Sequence, residues 1–557
     1  MSIWTGLGIS AVAIVGMWLL SDFQQKRRTK RTRSKLQAEW GRPRTPAVSD
    51  GIGVYHFHES NKSRDSLDDT TWADLNLDAV FRFLDRNESA LGRERLYHRL
   101  RRTSGSPEDV RGFDATVDRL RANQSARQSV QMALALITEK DEATVWNLAL
   151  DAPEPLPAWL AFWCPMFAIA MGAVLVLTIL KPALIGFTVL AVALAYWMRA
   201  RIAWRLLPWM APFRSVSQIE AAARRVKDSE PVAEPTTVVL KTRLPAIAGL
   251  ARTAAWLGQD PSRLDIVSLI WEYLSFFFCI DGNVLLLAIR QVRRCQRELR
   301  DIAEVLGDLD AAISVASVRT GGAAWTRPTF VASSSTVEMS DLSHPLVSPC
   351  VTNSLTFGPS GVILTGANMT GKSTFLRSVG VNAVLAQSIG TVFASGYRAP
   401  WLTVHTCISP TDDLQAGKSL YQREAETVVS IVAQAANGPV TLCLFDELFR
   451  GTNSTDRIGA SAAVFKYLAA GNPPCLVMAA THDLELVGVL GDRFCSYHFA
   501  DRIAADRLEF DYCLRRGIAP SRNAVALLRL FGAPPALVAD ALQTVSGLPT
   551  VQACARS

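Results

Sequence analysis

The sequence predicts an α/β nucleotide-binding domain in the C-terminal part of the chain, preceded by an all-α domain with transmembrane helices. Three observations support this prediction. Uncharged runs in the first 200 residues are close to the length that crosses a bilayer, a glycine-rich loop follows a short apolar run, and two later apolar runs end in polar side chains. With 49% hydrophobic and 20% charged residues, the 557-residue chain has the composition of an ordered protein.

The N-terminus is predicted to be an uncleaved membrane anchor. Residues 3–20 carry no charge and would form about 27 Å of helix, close to the thickness of the hydrocarbon layer. Positive charges follow this run instead of preceding it, unlike in a cleaved signal peptide. They lie in QQKRRTKRTRSK, residues 24–35, whose seven basic side chains equal the net charge of +7. The rest of the chain is neutral on average, so its global charge does not indicate nucleic-acid binding.

A second membrane element is predicted as a hairpin. Residues 156–180 form one uncharged run and residues 182–198 form another, with Lys181 between them. Amphipathic aromatic rings near the ends favour the interface, and arginines after the second run indicate the inner side. We therefore expect three spans in the cell inner (plasma) membrane, with the remaining chain in the cytoplasm. Two buried core helices are the alternative for the hairpin.

Residues 268–289 are a fourth apolar stretch, but they contain Glu272 and Asp281. Because charges cost far more in lipid than on the polar face of a helix, we expect an amphipathic core helix. The ten cysteines form no C-x-x-C motif and no Cys/His cluster, which argues against a zinc site or a disulfide framework.

The glycine-rich loop GANMTGKST, residues 366–374, has the P-loop spacing of Gly366, Gly371, Lys372 and Ser373 after the apolar run GVILT. Glycines let backbone N–H groups approach phosphates, and the N-terminus of the next helix favours negative charge. Lys372 is expected to reach the β and γ oxygens of ATP as a catalytic residue, and Ser373 to hold Mg²⁺. The predicted ATP-binding residues of this loop are Gly366, Ala367, Asn368, Met369, Thr370, Gly371, Lys372, Ser373 and Thr374.

Two later apolar runs supply the predicted chemistry. PVTLCLFDE ends at Asp446 and Glu447, of which Asp446 is expected to bind Mg²⁺ and Glu447 to polarise the attacking water as a catalytic base. CLVMAAT is followed by His482, the predicted catalytic γ-phosphate sensor, since carboxyl ends of parallel strands share one edge of a sheet.

In DELFRGTNSTDRIGAS, which begins at the acidic pair that ends PVTLCLFDE, the sequence resembles the ATPase domain of the MutS DNA mismatch repair family. GANMTGKS is similar to the family's G-P-N-M-x-G-K-S, and the D-E, R-G-T and T-H motifs fall on this chain's DE, RGT and TH. SHPLV, VTN, DDLQAGKS and the C-terminal YCLRRGIAPSRNAVALLRLFGAPP are also similar to family segments. The resemblance implies an ABC-class P-loop ATPase domain, ATP and Mg²⁺ as cofactors, a homodimer, and DNA as a partner.

Outside the ATPase domain, residues 74–102 and 306–330 resemble the two ends of the family's helical lever domain. Two departures bear on function. Asn453 stands where the family usually has serine, so Asn453 or Ser454 is expected to reach the nucleotide of the partner subunit. Nothing before residue 74 resembles the mismatch-reading domain, although Phe57-His58-Glu59 fits its Phe-x-Glu pattern by letters alone.

These observations predict seven segments. They are an N-terminal anchor (1–22), a basic linker (23–70), the first part of the lever (71–155), the transmembrane hairpin (156–198), the second part of the lever (199–330), the ATPase domain (331–515) and a helical dimerisation segment (516–557).

The predicted function is a membrane-tethered dimeric ATPase that couples ATP hydrolysis to binding of mismatched or otherwise structured DNA in repair. The alternative is an ATP-driven switch that acts on a membrane or protein complex without DNA. An ABC-type transporter subunit is less favoured because its signature loop precedes the acidic pair, whereas RGTNS follows it. A scaffold with a vestigial site is disfavoured by the intact P-loop and acidic pair.

Overall fold

The structure is a computed structural model of the whole chain. The residues that it describes are 23, 26–27, 29–44, 52–61, 66–102, 105–138, 142–151, 153–154, 158–229, 234–257, 273–278, 280–332, 335–367, 369–408, 420–435, 440–471, 475–504, 507–519, 525, 528–529 and 531–547.

The chain divides into two compact units. A helical unit comprises the described residues of Met1–Lys62, Asp85–His98 and Thr116–Gly321, and a sheet unit comprises those of Ser63–Leu84, Arg99–Ala115 and Gly322–Ser557. Residues 63–84 and 99–115, expected in the linker and lever, therefore group with the sheet unit. The other predicted boundaries stay predictions.

The main sheet of the sheet unit has six strands in the order β10-β9-β4-β8-β7-β6. Strand β9 pairs with β10 antiparallel, and the other neighbours pair in parallel. β4, β7 and β8 are buried at every residue, since helices cover a parallel sheet on both faces and favour unbroken apolar runs. The six strands are β4 (Gly361–Thr365), β6 (Thr403–Cys407), β7 (Thr441–Asp446), β8 (Leu476–Ala480), β9 (Phe494–Ala504) and β10 (Arg507–Arg516).

A smaller sheet has the order β1-β5-β2-β3. Its strands are β1 (Thr329–Phe330), β2 (Val337–Leu342), β3 (Asn353–Phe357) and β5 (Gly396–Ala399). The helices of the sheet unit are Asp69–Asp74, Leu77–Leu84, Lys372–Ile389, Leu420–Ala435, Ser454–Ala469, Leu484–Leu490 and Pro535–Gly547.

The short helix Asp69–Asp74 joins the sheet unit through buried hydrogen bonds. The Asp74 carboxylate accepts bonds from the Thr406 hydroxyl and the Ile408 amide, both at 2.8 Å. The Thr406 amide donates to the Thr71 hydroxyl at 3.2 Å. These contacts at the end of β6 are the physical reason why this segment groups with the sheet.

The helical unit contains Val54–Ser60, Gln124–Leu134, Glu142–Leu150, Ala158–Leu180, Ile185–Asp228, Glu234–Leu257 and Ile280–Thr320, while Ala90–Arg101 and Pro107–Ala122 contribute to both units. The two segments that resemble the lever ends pack closely here. A Cβ on Gly307 would lie 2.7 Å from the Leu91 carbonyl oxygen, and one on Gly92 would lie 2.5 Å from the Asp310 carboxyl. Only glycine permits this approach of helix Ala90–Arg101 to helix Ile280–Thr320.

The predicted hairpin is present as two helices joined at Lys181, and the Thr178 and Thr188 hydroxyls lie 2.6 Å apart across it. Among the described residues, only Phe162–Leu180 is long and apolar enough to cross a membrane. The second arm is apolar over Pro182–Trp197, roughly 24 Å of helix, and continues into the 44-residue helix Ile185–Asp228. Residues 3–20 lie outside the described residues. The expectation of three spans is therefore not supported.

Candidate nucleotide site

The P-loop connects β4 to helix Lys372–Ile389 at the carboxyl edge of the main sheet. Gly366 has φ 135°, and a Cβ there would lie 2.6 Å from the Phe499 carbonyl oxygen. Gly371, with φ 108°, is the N-cap of the helix. The Thr370 hydroxyl donates to the Ala367 carbonyl at 2.8 Å and closes the loop. The backbone therefore requires glycine at both positions.

The Lys372 ammonium lies inside this loop. Its Nζ donates to the carbonyl oxygens of Gly366 at 2.7 Å and Ala367 at 2.8 Å, and the residue is buried. Met369 is at the exposed apex of the loop with φ 68°, and Asn368 lies outside the described residues. The positive charge is therefore already held where phosphates would enter.

Ser373 and Asp446 come together as predicted for a magnesium site. The Ser373 hydroxyl donates to Asp446 Oδ2 at 2.5 Å, although the two residues are 73 apart in sequence. Asp446 is buried, and its Oδ1 has no hydrogen-bond partner among the described residues. Burial raises the pKa of Asp446, while the Ser373 hydrogen bond lowers it. A buried carboxylate oxygen without a donor is a ready cation ligand.

Glu447 and His482 meet at the ends of β7 and β8. The Glu447 amide donates to the Ala480 carbonyl at 2.9 Å, which fixes the residue at φ 51°. Its Oε1 contacts His482 Nε2, and its Oε2 contacts Arg450 Nε at 2.6 Å. Burial would raise the pKa of Glu447, but the His482 hydrogen bond and the His482 and Arg450 charges bring it below its usual value. Glu447 is therefore ionised, as a base must be.

A cavity of about 210 Å³ lies beside this pair, and Glu447, Arg450 and His482 line it. A second cavity of about 440 Å³ is lined by Thr374 and Arg377 of the P-loop helix, by His344, and by Ala73, Asp74 and Asn76. The site residues therefore face space large enough for water and small ligands.

Asn453 and Ser454 are exposed at the start of helix Ser454–Ala469. The Asn453 side chain caps this helix by accepting from the Asp456 amide at 2.9 Å and donating to the Asp456 carboxylate at 2.6 Å. Within one chain, Asn453 is the N-cap of this helix and Ser454 is its first residue. Its predicted role toward a partner subunit stays a prediction.

Two residues that support the site were not predicted as site residues. Buried Glu424 accepts a 2.6 Å hydrogen bond from the Phe449 amide and so holds the loop after Glu447, whose Phe449 has φ 61°. Arg457 forms two 2.7 Å hydrogen bonds with Asp483, next to His482. The only signal for Glu424 in the sequence is that it is a charged residue on the inner face of helix Leu420–Ala435.

The residues present fit ATP and Mg²⁺. The loop has room only for glycine at Gly366, and the Lys372 ammonium lies inside it. The Asp446 carboxylate accepts from the Ser373 hydroxyl through one oxygen and keeps its other oxygen without a partner among the described residues. No group of three or more His, Cys, Asp or Glu side chains suited to a metal occurs among the described residues. The divalent ion would therefore complete its coordination with water and phosphate oxygens, as Mg²⁺ usually does.

This fold and this set of side chains define a P-loop ATPase domain. Residues 362–549 match the family described as MutS domain V. Relatives named DNA mismatch repair protein MutS include those of Thermus thermophilus (32% identity over 269 residues), Thermus aquaticus (33% over 267) and Natronomonas pharaonis (32% over 270). These matches cover 46–47% of this chain and 30–32% of each relative.

The C-terminal half of the chain is thus similar to MutS proteins. Domain V carries the ATPase activity of that family, so residues 362–549 are an ATPase domain of the MutS type. The matched part spans about a third of the length of these relatives.

Proposed function

We propose that the whole chain is a membrane-tethered ATPase that hydrolyses ATP as a homodimer and couples hydrolysis to binding of DNA. One observation supports the ATPase part most strongly: the P-loop, the unpartnered oxygen of Asp446 and the ionised Glu447 share the carboxyl edge of one sheet. The remaining parts of the proposal rest on separate observations.

In hydrolysis, ATP with its Mg²⁺ supplies the phosphoanhydride bond and a divalent charge. Lys372 exchanges the carbonyl oxygens of Gly366 and Ala367 for phosphate oxygens. Ser373 and Asp446, whose Oδ1 has no partner among the described residues, would hold the ion. Glu447 Oε2 releases Arg450, accepts a hydrogen bond from the attacking water and takes its proton, while His482 Nε2 holds Oε1 in place. The water oxygen bonds to the γ-phosphorus as the bond to the bridging oxygen breaks, and ADP leaves with that oxygen.

The dimer is proposed from Asn453 and Ser454. Both are exposed in the described structure, and their polar groups lie at the N-terminus of a 16-residue helix, which favours negative charge. In the proposed dimer, this helix end meets the γ-phosphate bound by the partner subunit and completes its site.

The membrane tether is proposed from the exposed apolar hairpin. Ile169, Ile179 and Leu180 of the first arm are 69%, 80% and 72% exposed, and the second arm exposes Ile185, Phe187, Val189 and Leu190 to a similar degree. Contiguous apolar surface of this kind is costly in water and favourable in lipid. We place the hairpin in the plasma membrane and the ATPase domain in the cytoplasm, where ATP is available. Two spans, not three, are proposed from the described residues.

DNA is proposed as the partner because the relatives are named as DNA mismatch repair proteins. The alternative is an ATP-driven switch that acts on a membrane or protein complex without DNA, and the exposed hairpin favours it. The ATPase rate of the full chain with homoduplex, mismatched and branched DNA separates the two. Stimulation by any of the three supports the DNA partner, whereas an unchanged rate with all three supports the alternative.

The test of the ATPase mechanism is Glu447→Gln. We expect turnover to fall by about 100-fold or more, because a neutral amide cannot take the proton. Filter binding should show ATP retained, and light scattering should show a dimer that persists in ATP. Glu509→Gln, an exposed change on β10, is the control and should leave turnover unchanged. Equal turnover in the Glu447→Gln protein and the control would refute the assigned base.

A further inference from the structure

An arginine face lies on helix Ile280–Thr320, outside the nucleotide site. It consists of Arg290, Arg293, Arg294 and Arg297, all of which are exposed. Val292, Cys295 and Leu299, between and beyond them, are buried, so the four arginines share the outward side of the helix although its backbone kinks at Cys295. Four positive charges are thus concentrated within about two helical turns.

Within the part of the chain that the structure describes, the four arginines of this face have no paired counter-charge. None of the four guanidinium groups forms an ion pair or a side-chain hydrogen bond with another residue that the structure describes. The two nearest acids along the helix, Glu298 and Asp301, are both paired with Arg243, at 3.7 Å and 3.0 Å. Arg300, in contrast, is paired with Glu59 and Glu304, each at 2.7 Å. The unpaired arginines are therefore a feature of this face and not of the whole helix.

The position of this face relative to the hairpin follows from two contacts. The Phe278 ring lies 3.8 Å from where a Cβ on Gly172 would be, and the Asn283 side chain donates to the Cys164 carbonyl at 3.4 Å. From Phe278 to Asn283 the contacts move from Gly172 back to Cys164, so this segment runs antiparallel to helix Ala158–Leu180. Arg290 lies about 10 Å beyond Asn283, and the end of the apolar helix at Ala158 lies about 9 Å beyond Cys164, at roughly 1.5 Å per residue.

Arg290 is therefore level with the end of the apolar helix, and the other three arginines follow just outside it. Exposed Trp163, Tyr196 and Trp197 lie near the same end of the hairpin, where aromatic rings mark the boundary between hydrocarbon and headgroups. Positive charges at this depth face the anionic lipids of the inner leaflet, which attract juxtamembrane cations.

We propose that the arginine face binds the phosphate headgroups of anionic phospholipids at the inner membrane surface. The proposal rests on the membrane tether proposed above. In residues 268–289, expected to be an amphipathic core helix, Tyr273 and Leu274 are 61% and 42% exposed. The lipid would hold the N-terminal part of helix Ile280–Thr320 at a fixed depth in the membrane. The hairpin alone would provide an apolar anchor but would not fix that depth.

The test uses the full chain in a non-ionic detergent, titrated with short-chain phosphatidylglycerol or phosphatidylcholine of equal chain length. We expect tighter binding of phosphatidylglycerol. Changing all four arginines to glutamine should weaken this binding by about tenfold or more and leave phosphatidylcholine unchanged. The four-lysine variant keeps the charge and should retain the preference. Unchanged ATP turnover of the glutamine variant shows that its loss of lipid binding does not reflect misfolding.

A matched control removes four exposed arginines of the sheet unit, Arg111, Arg398, Arg493 and Arg529, and should bind phosphatidylglycerol like the wild type. Equal affinities in the glutamine variant and the wild type would overturn the proposal. Displacement of phosphatidylglycerol from the wild type by inorganic phosphate at equal concentration would also overturn it. So would a glutamine variant that loses binding to a 20-base-pair DNA duplex but binds phosphatidylglycerol like the wild type. Carbonate extraction of membranes from cells that express the protein tests the membrane tether separately. If carbonate releases the protein into the soluble fraction, the tether is contradicted, whatever the lipid titrations show.

Discussion

Two aspartates, one in each unit, show how differently the chain treats a buried carboxylate. Asp310 of the helical unit is fully buried and accepts hydrogen bonds from the Glu88 amide and from the amide and hydroxyl of Ser89, at 2.6–3.1 Å. Asp446 of the sheet unit is also buried, but only its Oδ2 has a partner, Ser373.

The donors decide what each aspartate does. The Asp310 carboxylate accepts hydrogen bonds from the two amides just before helix Ala90–Arg101. Because no carbonyl of the helix can accept from these amides, Asp310 stabilises the fold. Asp446 keeps one oxygen free at the edge of a sheet, beside a lysine and a serine hydroxyl, which costs stability in the absence of a cation. A satisfied buried carboxylate therefore indicates structure, and an unsatisfied one indicates a ligand.

The largest expected effect comes from Asp446→Asn. The amide keeps the shape of the side chain but loses the charge that would hold Mg²⁺, so ATP turnover should fall by about 100-fold or more. The free energy of unfolding should stay unchanged or rise, because an uncompensated buried charge is removed. Steady-state ATPase assays and thermal unfolding in detergent measure the two quantities. If the Asp446→Asn protein loses turnover and its free energy of unfolding also falls, Asp446 stabilises the fold as Asp310 does, and the contrast between the two aspartates is wrong.

Asp310→Ala should have the opposite profile. It removes the acceptor of three buried donors, and we expect the free energy of unfolding to fall by about 2–4 kcal/mol. Asp301→Ala on the same helix is the control: its carboxylate is 36% exposed and paired with Arg243, so its loss should cost less than about 1 kcal/mol. Denaturant titration measures both. Similar losses in the two variants would mean that Asp310 contributes no more than a surface ion pair.

The pH dependence of stability sharpens the same contrast. Burial raises the pKa of Asp310 to about 7 from 3.8, although the Glu88 and Ser89 hydrogen bonds lower it. Between these values the folded chain keeps the proton and the unfolded chain releases it, so stability falls as pH rises through this window. The steepest slope from this group is about 1.4 kcal/mol per pH unit. Asp310→Asn should remove that slope, and parallel profiles for the two proteins would exclude Asp310 as its source.

Much of the nucleotide site follows from the sequence because its signals are local. GVILT, TLCLFD and LVMAA became β4, β7 and β8, since unbroken apolar runs are typical of strands buried on both faces. The pairing of Arg450 with Glu447 and the support of Phe449 by Glu424 could not be predicted, because they depend on positive φ angles at Glu447 and Phe449. The placement of Asp69–Asp74 depends on bonds to residues more than 330 positions away.

Glu424→Ala tests that unpredicted support and should have a moderate effect. It removes the acceptor of the Phe449 amide, and we expect a loss of about 1–2 kcal/mol in the free energy of unfolding. Turnover should fall several-fold with it, because the loop that carries Arg450 begins at Phe449. Glu424→Gln keeps an acceptor oxygen and should retain most of both. If the alanine and glutamine variants behave alike, the hydrogen bond is not what holds the loop.

The smallest effect is expected from Arg450→Gln. Arg450 is 56% exposed, so its pairing with Glu447 contributes little to stability, but its charge is one of those that lower the pKa of Glu447. Its removal should move the acidic limb of the pH–rate profile to higher pH, because Glu447 then takes up a proton more readily. Arg493→Gln, an exposed change elsewhere in the sheet unit, should leave that limb in place. The limb is read from kcat/KM, which reports Glu447 in the free enzyme, where Arg450 is still paired with it. An unmoved limb in the Arg450 variant would mean that the Arg450 charge does not lower the pKa of Glu447.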